Sequence, residues 1–174
     1  MPDQGNVTGE TRAQSNSWPS DWFDRKAGRD CPLCARGRTD ADEYGVRIFA
    51  GECSDAYLQR EAIQPGYVVV VWRGRHVAEP TDLNPQESSL YWAEVLLVAR
   101  QLARHYNPAQ TNYEIHGNTV PHLHTHVQMR YLNDSPPGKP LPWANKRQLP
   151  HHQFENDVRQ LRTIFGYRPQ GVAD

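Results

Sequence analysis

Hydrophobic and polar positions follow two different periods along the chain, and these periods predict strands and helices. Tyr67–Trp72 is a continuous run of β-branched and aromatic residues, which predicts a buried central strand. Shorter apolar patterns predict strands over residues 47–50, 57–61, 112–115 and 122–131. The strands therefore fall into one group of three and a later group of two.

Two segments repeat apolar residues at the three- and four-residue spacing of a helix. The first opens with Asn84, Pro85 and Glu87, a capping-box arrangement with proline at the first helical position, and it ends at Tyr106. The second covers about residues 153–166. Three strands, a long helix, two strands and a C-terminal helix predict an α+β fold with an antiparallel sheet.

The length of 174 residues predicts a single domain, which we place at residues 18–174. Residues 1–17 are rich in small and polar residues, so we expect a disordered tail there. Residues 136–150 are rich in proline and are expected to wrap the surface.

Composition narrows the class of protein. The hydrophobic fraction of 37% and charged fraction of 22% are typical of globular chains, and a net charge of −1 argues against a partner such as duplex nucleic acid. We see neither a membrane span nor a signal peptide, and three cysteines do not form a disulfide framework. We therefore expect a cytoplasmic protein with no membrane partner.

The strongest chemical signal is the alternation of His122, His124 and His126. Side chains two residues apart on a strand share one face, with neighbours about 6.6 Å apart and the outer pair about 13 Å apart. The row is either incidental, or a metal site, or a site for chemistry on a phosphate. One metal held by all three fits poorly because zinc–nitrogen bonds are only about 2 Å long. A neutral imidazole nucleophile with imidazole assistants fits well, and apolar Leu123 and Val127 occupy the other face.

Residues 112–126 read Asn-Tyr-Glu-Ile-His-Gly-Asn-Thr-Val-Pro-His-Leu-His-Thr-His, and this segment resembles the signature of the histidine-triad (HIT) superfamily. The strand before His76 and the helix that follows it also resemble that family, so the likeness covers about residues 31–131. The resemblance implies a HIT-like fold and a nucleotide hydrolase or nucleotidyl transferase. The expected substrates are dinucleoside polyphosphates or nucleoside phosphoramidates with adenine or guanine, and the expected assembly is a homodimer.

The resemblance also implies roles for individual residues. The middle histidine of the family is the nucleophile, so His124 would carry a covalent nucleotidyl group. His126 would contact the reacting phosphate and is the candidate for giving the leaving group its proton. Asn118 and Thr119 would help to hold the phosphate, with Asn112 as an upstream amide.

This sequence departs from the family pattern at several positions. Thr125 and Gln128 stand where the motif has apolar residues. The acidic residue that many members use to hold a ribose has no clean match near Arg60 and Glu61. His116 precedes a glycine, so we expect a turn residue there, with a side chain that faces the pocket as the alternative.

Cys31 and Cys34 have the two-residue spacing of a zinc knuckle, although a pair of ordinary thiols would have the same spacing. In the zinc-bearing, bacterial-type members of the superfamily, the ligands fall on Cys31, Cys34, His76 and His122. A closed site with two cysteines and two histidines would be structural, so the reaction would need no catalytic metal.

Two other functions remain open at the level of the sequence. The chain could be a module that binds or senses a nucleotide without turnover, or a hydrolase with a catalytic zinc on a His-x-His pair. Tight AMP binding without hydrolysis would favour the first. Loss of turnover on chelation without loss of the fold would favour the second.

Overall fold

The structure is a computed structural model that describes residues 17–134 and 138–169. The predicted disordered tail lies outside the described residues, apart from Ser17. The helices are α1 (Trp22–Lys26), α2 (Pro32–Arg36), α3 (Pro85–Tyr106) and α4 (His151–Phe165). The strands are β1 (Gly45–Ala50), β2 (Ser54–Gln59), β3 (Glu61–Ala62), β4 (Tyr67–Trp72), β5 (Gln110–Glu114), β6 (His124–Arg130) and β7 (Arg147–Gln148).

Five strands form one antiparallel sheet in the order β1-β2-β4-β6-β5. The predicted α+β fold is therefore confirmed, and β4 is the central strand with the predicted bounds. The long helix also begins as predicted, because the Asn84 side chain accepts from the Glu87 amide and the Glu87 carboxylate accepts from the Asn84 amide.

The strand that carries the triad begins two residues later than predicted. His122 lies in a turn, with its amide bonded to the carbonyl of Val120. Leu123 bonds to the end of β4 and to the connection after it, because its carbonyl accepts from the Trp72 amide and its amide donates to the Val77 carbonyl. His122 therefore points toward a different site from His124 and His126.

The two faces of the sheet have different roles, as the two-residue period of a strand requires. Val68 and Val70 of β4 and Val127 of β6 face the core. Helices α3 and α4 form the other side of this core. Their contributing residues are apolar and lie at helical spacing, namely Tyr91, Val95, Val98, Leu102, Phe154, Val158 and Leu161. The intervening residues of β4 and β6 lie on the opposite face, where a cleft forms.

The described part of the proline-rich segment crosses one end of this cleft. Strand β7 pairs with β3, with Arg147 opposite Ala62 and Gln148 opposite Glu61. A short 3-10 turn over Trp143–Asn145 precedes it. This pairing carries Trp143 and Lys146 to the cleft.

Among the described residues, no helix combines the length and the apolar character that a bilayer span requires.

Candidate active site and metal centre

A cleft of about 590 Å³ lies on the face of the sheet that α3 leaves open. Its floor is formed by β4 and β6, with Val69 and Val71 beside His124 and His126. Its walls come from the loop over residues 116–120, from helix α2 and from the segment before β7. Two triad histidines thus lie in an open cleft large enough for a small ligand.

His124 is held in one tautomer by the backbone. Its Nδ1 lies 2.6 Å from the carbonyl oxygen of His122. A carbonyl only accepts hydrogen bonds, so Nδ1 carries the proton and Nε2 keeps a lone pair. Burial lowers the pKa of His124, which keeps the ring neutral near pH 7. The arrangement produces a nitrogen nucleophile.

His126 is paired with a tyrosine. Its Nδ1 lies 2.8 Å from the Tyr67 hydroxyl, and the two rings stack with centroids 5.9 Å apart. Burial, then the charges of neighbouring groups, lowers the pKa of His126 to about 3. Burial raises the pKa of Tyr67, so the phenol keeps its proton and can donate it to Nδ1. The His126 proton then lies on Nε2, which can donate to a phosphate oxygen.

A third histidine, His116, lies in the same cleft. The ring of His116 is 5.7 Å from that of His126 and 5.5 Å from that of Trp143, between centroids. Its Nε2 lies 2.9 Å from a carboxylate oxygen of Glu114. We preferred a turn residue here, and the structure favours the alternative of a pocket residue. The signal that could have identified it is the spacing of Glu114 and His116, two residues apart at the end of a strand.

The predicted phosphate-holding residues are only partly brought together. Asn118 and Thr119 line the cleft beside the two histidines. Asn112 does not line it, because Asn112 lies in β5 opposite Gln128, two positions along the strand from the pair of Glu114 and His126.

The polar departures from the family motif have partners inside the protein. Thr125 faces the core, and its hydroxyl lies 2.8 Å from the hydroxyl of Tyr91. Gln128 is buried and donates from its amide to Glu114 at 3.2 Å. Near Arg60 and Glu61, where the resemblance implies an acidic residue, the side chain that lines the cleft is Gln59 at the end of β2.

Lys146 brings positive charge to the His126 end of the cleft. Its ammonium lies 4.1 Å from the centre of the Trp143 ring and 5.0 Å from that of Tyr67. Burial lowers the pKa of this lysine, and its charge contributes to the lowered pKa of His126. Lys146 and Tyr67 were not predicted as site residues, since only the fold brings them to the triad.

The four predicted metal ligands come together in a separate cluster, and none of them lines the cleft. One ligand atom from each of Cys31, Cys34, His76 and His122 lies within 4.8 Å of every other, so the group could hold a metal ion. The sulfur of Cys31 is 3.4 Å from Nδ1 of His122, and that of Cys34 is 3.5 Å from Nδ1 of each histidine. In a tetrahedral zinc site, bonds of about 2.3 Å to sulfur and about 2.0–2.1 Å to nitrogen place the sulfur and nitrogen ligand atoms about 3.5 Å apart. The observed sulfur–nitrogen distances agree with that value.

Hydrogen bonds behind the cluster orient both histidines. Nε2 of His122 donates to the carbonyl of Trp72 at 2.8 Å, and Nε2 of His76 donates to that of Lys26 at 3.1 Å. Both Nδ1 atoms are therefore left to bind a metal. Gly28, with φ +98°, packs so closely on the His76 ring that a Cβ would lie 2.9 Å from it.

The protonation of the cluster is consistent with a metal site. Burial lowers the pKa of His122 to about 4, which keeps it in the neutral form that binds metal. Burial and Cys31 raise the pKa of the Cys34 thiol to about 11, so metal binding must displace a proton there.

A buried ion-pair cluster joins helix α2 to the sheet. The guanidinium of Arg73 donates to Asp55 at 2.9 Å, to the Leu33 carbonyl at 3.0 Å and to the Tyr57 hydroxyl at 3.0 Å. Asp55 is fully buried and also accepts from Arg38. Because Leu33 lies between the two cysteines, the metal ligands and Arg73 together position this wall of the cleft.

Comparison with known proteins agrees with this geometry. A family model described as the HIT domain matches residues 42–132, just over half of the chain. A bis(5'-adenosyl)-triphosphatase from Saccharomyces cerevisiae is 33% identical over 89 residues, which cover 48% of this chain and 43% of that protein. The chain thus spans less than half of the length of the curated relatives it matches.

Solved histidine-triad proteins share the fold. One from Bradyrhizobium japonicum aligns with a TM-score of 0.62 at 25% identity, covering 70% of this chain and 90% of that one. A histidine-triad family protein from Mycobacterium smegmatis, described as zinc-bound, aligns with a TM-score of 0.56 at 24% identity, covering 79% of this chain and 94% of that one. The chain is a member of the HIT family.

Proposed function

We propose that the protein is a nucleotide hydrolase or nucleotidyl transferase that works through a covalent nucleotidyl group on His124. The observation that carries the proposal is the tautomer of His124, whose Nδ1 proton is bound to the His122 carbonyl and whose Nε2 holds the lone pair. The ring lies in a cleft with a second neutral histidine and a lysine. Phosphoryl chemistry needs such a nucleophile with donors and positive charge around it.

The first step forms a bond between Nε2 of His124 and the α-phosphorus, while the bond to the leaving group breaks. His126, through its Nε2 proton, and the residues Asn118 and Thr119 hold the phosphoryl oxygens. In the second step, water or another acceptor attacks the same phosphorus and releases the nucleotide from His124. Both proposed steps use only the substrate, an acceptor and side chains of this protein.

We propose an adenine nucleotide as the substrate, either a dinucleoside polyphosphate or a nucleoside phosphoramidate. The name of the yeast relative, a bis(5'-adenosyl)-triphosphatase, supports the first class. Gln59 at the end of β2 is the proposed contact to the ribose, since it lies in the cleft near the position where the family has an acidic residue.

We also propose that the ion held by the Cys31, Cys34, His76 and His122 cluster is a structural zinc. The donor set, the near-tetrahedral spacing and the orienting hydrogen bonds support zinc, and the Mycobacterium smegmatis neighbour is described as zinc-bound. With four protein ligands the site is closed, so zinc would hold α2 against the strand that carries His124.

The experiment that tests the proposed function is turnover of diadenosine triphosphate and adenosine 5'-phosphoramidate by the purified protein, followed as AMP release. We expect hydrolysis of at least one of them. AMP binding in calorimetry without any hydrolysis would favour the nucleotide-sensing module instead. Loss of turnover on chelation, with an unchanged melting temperature, would favour a catalytic zinc.

The cytoplasmic location stays a prediction from the sequence.

We propose that the protein is a homodimer. Strand β5 is an edge of the five-stranded sheet and exposes Tyr113, and α3 exposes Leu96 and Leu97. Exposed apolar side chains beside a sheet edge are typical of a surface that pairs with a second copy. Sedimentation equilibrium should give twice the mass of one chain, and a monomer at micromolar concentration would contradict the proposal.

A further inference from the structure

The reaction needs a proton for the leaving group, and the triad is poorly placed to supply it. Nδ1 of His124 donates its proton to a backbone carbonyl, and Nε2 is the attacking atom. Nδ1 of His126 is occupied by the Tyr67 hydroxyl, so this ring holds a single proton, on Nε2, which the phosphate oxygen engages. Neither ring has a proton to release without disturbing its own bond.

His116 is arranged differently. It stands at the rim of the same cleft, where 45% of its side chain is exposed, so it can exchange protons with water. Its Nε2 is paired with Glu114 at 2.9 Å, and a protonated ring there would carry its second proton on Nδ1. Trp143 and His126 flank the ring on the side of the cleft.

The partner of His116 is itself fixed. Glu114 lies opposite His126 in the β5–β6 ladder, and only 15% of its side chain is exposed. One carboxylate oxygen accepts from Gln128 and the other from His116. Gln128, a departure from the family motif, thus orients the carboxylate that orients His116.

We propose that His116, oriented by Glu114, is the general acid that protonates the leaving group. The role rests on the proposed function of the cleft. As His124 forms its bond to phosphorus, the leaving oxygen or nitrogen takes a proton from His116, which becomes neutral. In the second step His116 accepts a proton from the attacking water, so the original charge is restored when the nucleotide leaves His124.

A general acid matters most for leaving groups that depart badly without a proton. The test therefore compares two adenylyl donors, adenosine 5'-phosphoramidate and the p-nitrophenyl ester of AMP, whose phenolate leaves without protonation. In the His116→Gln variant we expect kcat/KM to fall roughly 10²–10⁴-fold for the phosphoramidate and less than about tenfold for the ester. Glu114→Gln should show a smaller loss with the same preference.

The matched control is His151→Gln, which changes a highly exposed histidine at the start of α4 and should affect neither substrate. Equal losses for both substrates, or no loss for the phosphoramidate, would overturn the role of His116 while leaving the function of the cleft intact. A wild-type protein that turns over neither donor would overturn the role of His116, and one that also fails to turn over diadenosine triphosphate would overturn the proposed function.

Discussion

The His124→Gln variant is expected to lose turnover by a factor on the order of 10⁴ or more. The two other histidines that line the described cleft are engaged by Tyr67 and Glu114 and cannot take over as the nucleophile. Glutamine can keep a polar contact to the His122 carbonyl, but its amide nitrogen has no basic lone pair. The measurement is the steady-state rate of AMP release from the better substrate. Folding should be little changed, since one hydrogen bond is altered.

Two controls make this result specific to the nucleophile. His151→Gln should retain wild-type turnover, since its side chain is exposed and outside the cleft. AMP should bind His124→Gln with an affinity close to that of the wild type, which separates loss of chemistry from loss of the pocket. Turnover within tenfold of the wild type would show that another group attacks the phosphorus.

Loss of the metal is expected to lower the melting temperature by roughly 10 °C or more, because the free energy of metal binding is available only to the folded chain. The cluster joins Cys31 and Cys34, at helix α2, to His76 and His122 beside the sheet. Without the metal, the two thiols and two imidazoles contact one another only through weak sulfur–nitrogen contacts. We expect one zinc per chain by elemental analysis, and none in the Cys34→Ser variant.

The third cysteine provides the matched control for this prediction. Cys53 is buried outside the cluster, and its sulfur contacts Glu94 at 3.4 Å. Cys53→Ser should keep one zinc per chain and should still be destabilised by a chelator. A wild-type protein that contains no metal and melts at the same temperature with and without chelator would refute the zinc site.

Much of the fold could be predicted where local pattern and final environment agree. The run Tyr67–Trp72 forms the central strand because nearly all of its side chains are buried on both faces. The capping box of α3 is local chemistry that the sequence contains in full. In contrast, β2 begins three residues before its predicted start, because Ser54 and Asp55 are polar and yet fully buried. Their partners, Glu94 and Arg73, lie far along the chain.

Some residues of the candidate site could likewise be predicted from the sequence, and others could not. The triad and the cysteine pair have close spacings that can be read directly, whereas Tyr67 and Lys146 reach the cleft only through strand pairing. Asn112 was chosen for its position in a motif, but the register of β5 places it away from the two cleft histidines. Position in the sequence predicts side-chain chemistry well, and it predicts poorly which side chains share a cavity.

The most direct test of the account is intact-protein mass spectrometry after brief mixing with adenosine 5'-phosphoramidate or diadenosine triphosphate and rapid quenching in denaturant. The account predicts a mass increase of one adenylyl group on the wild type, absent from His124→Ala and lost when the sample is left in acid. Substrate turnover without any adduct, or an adduct that persists in His124→Ala, would contradict covalent catalysis by His124.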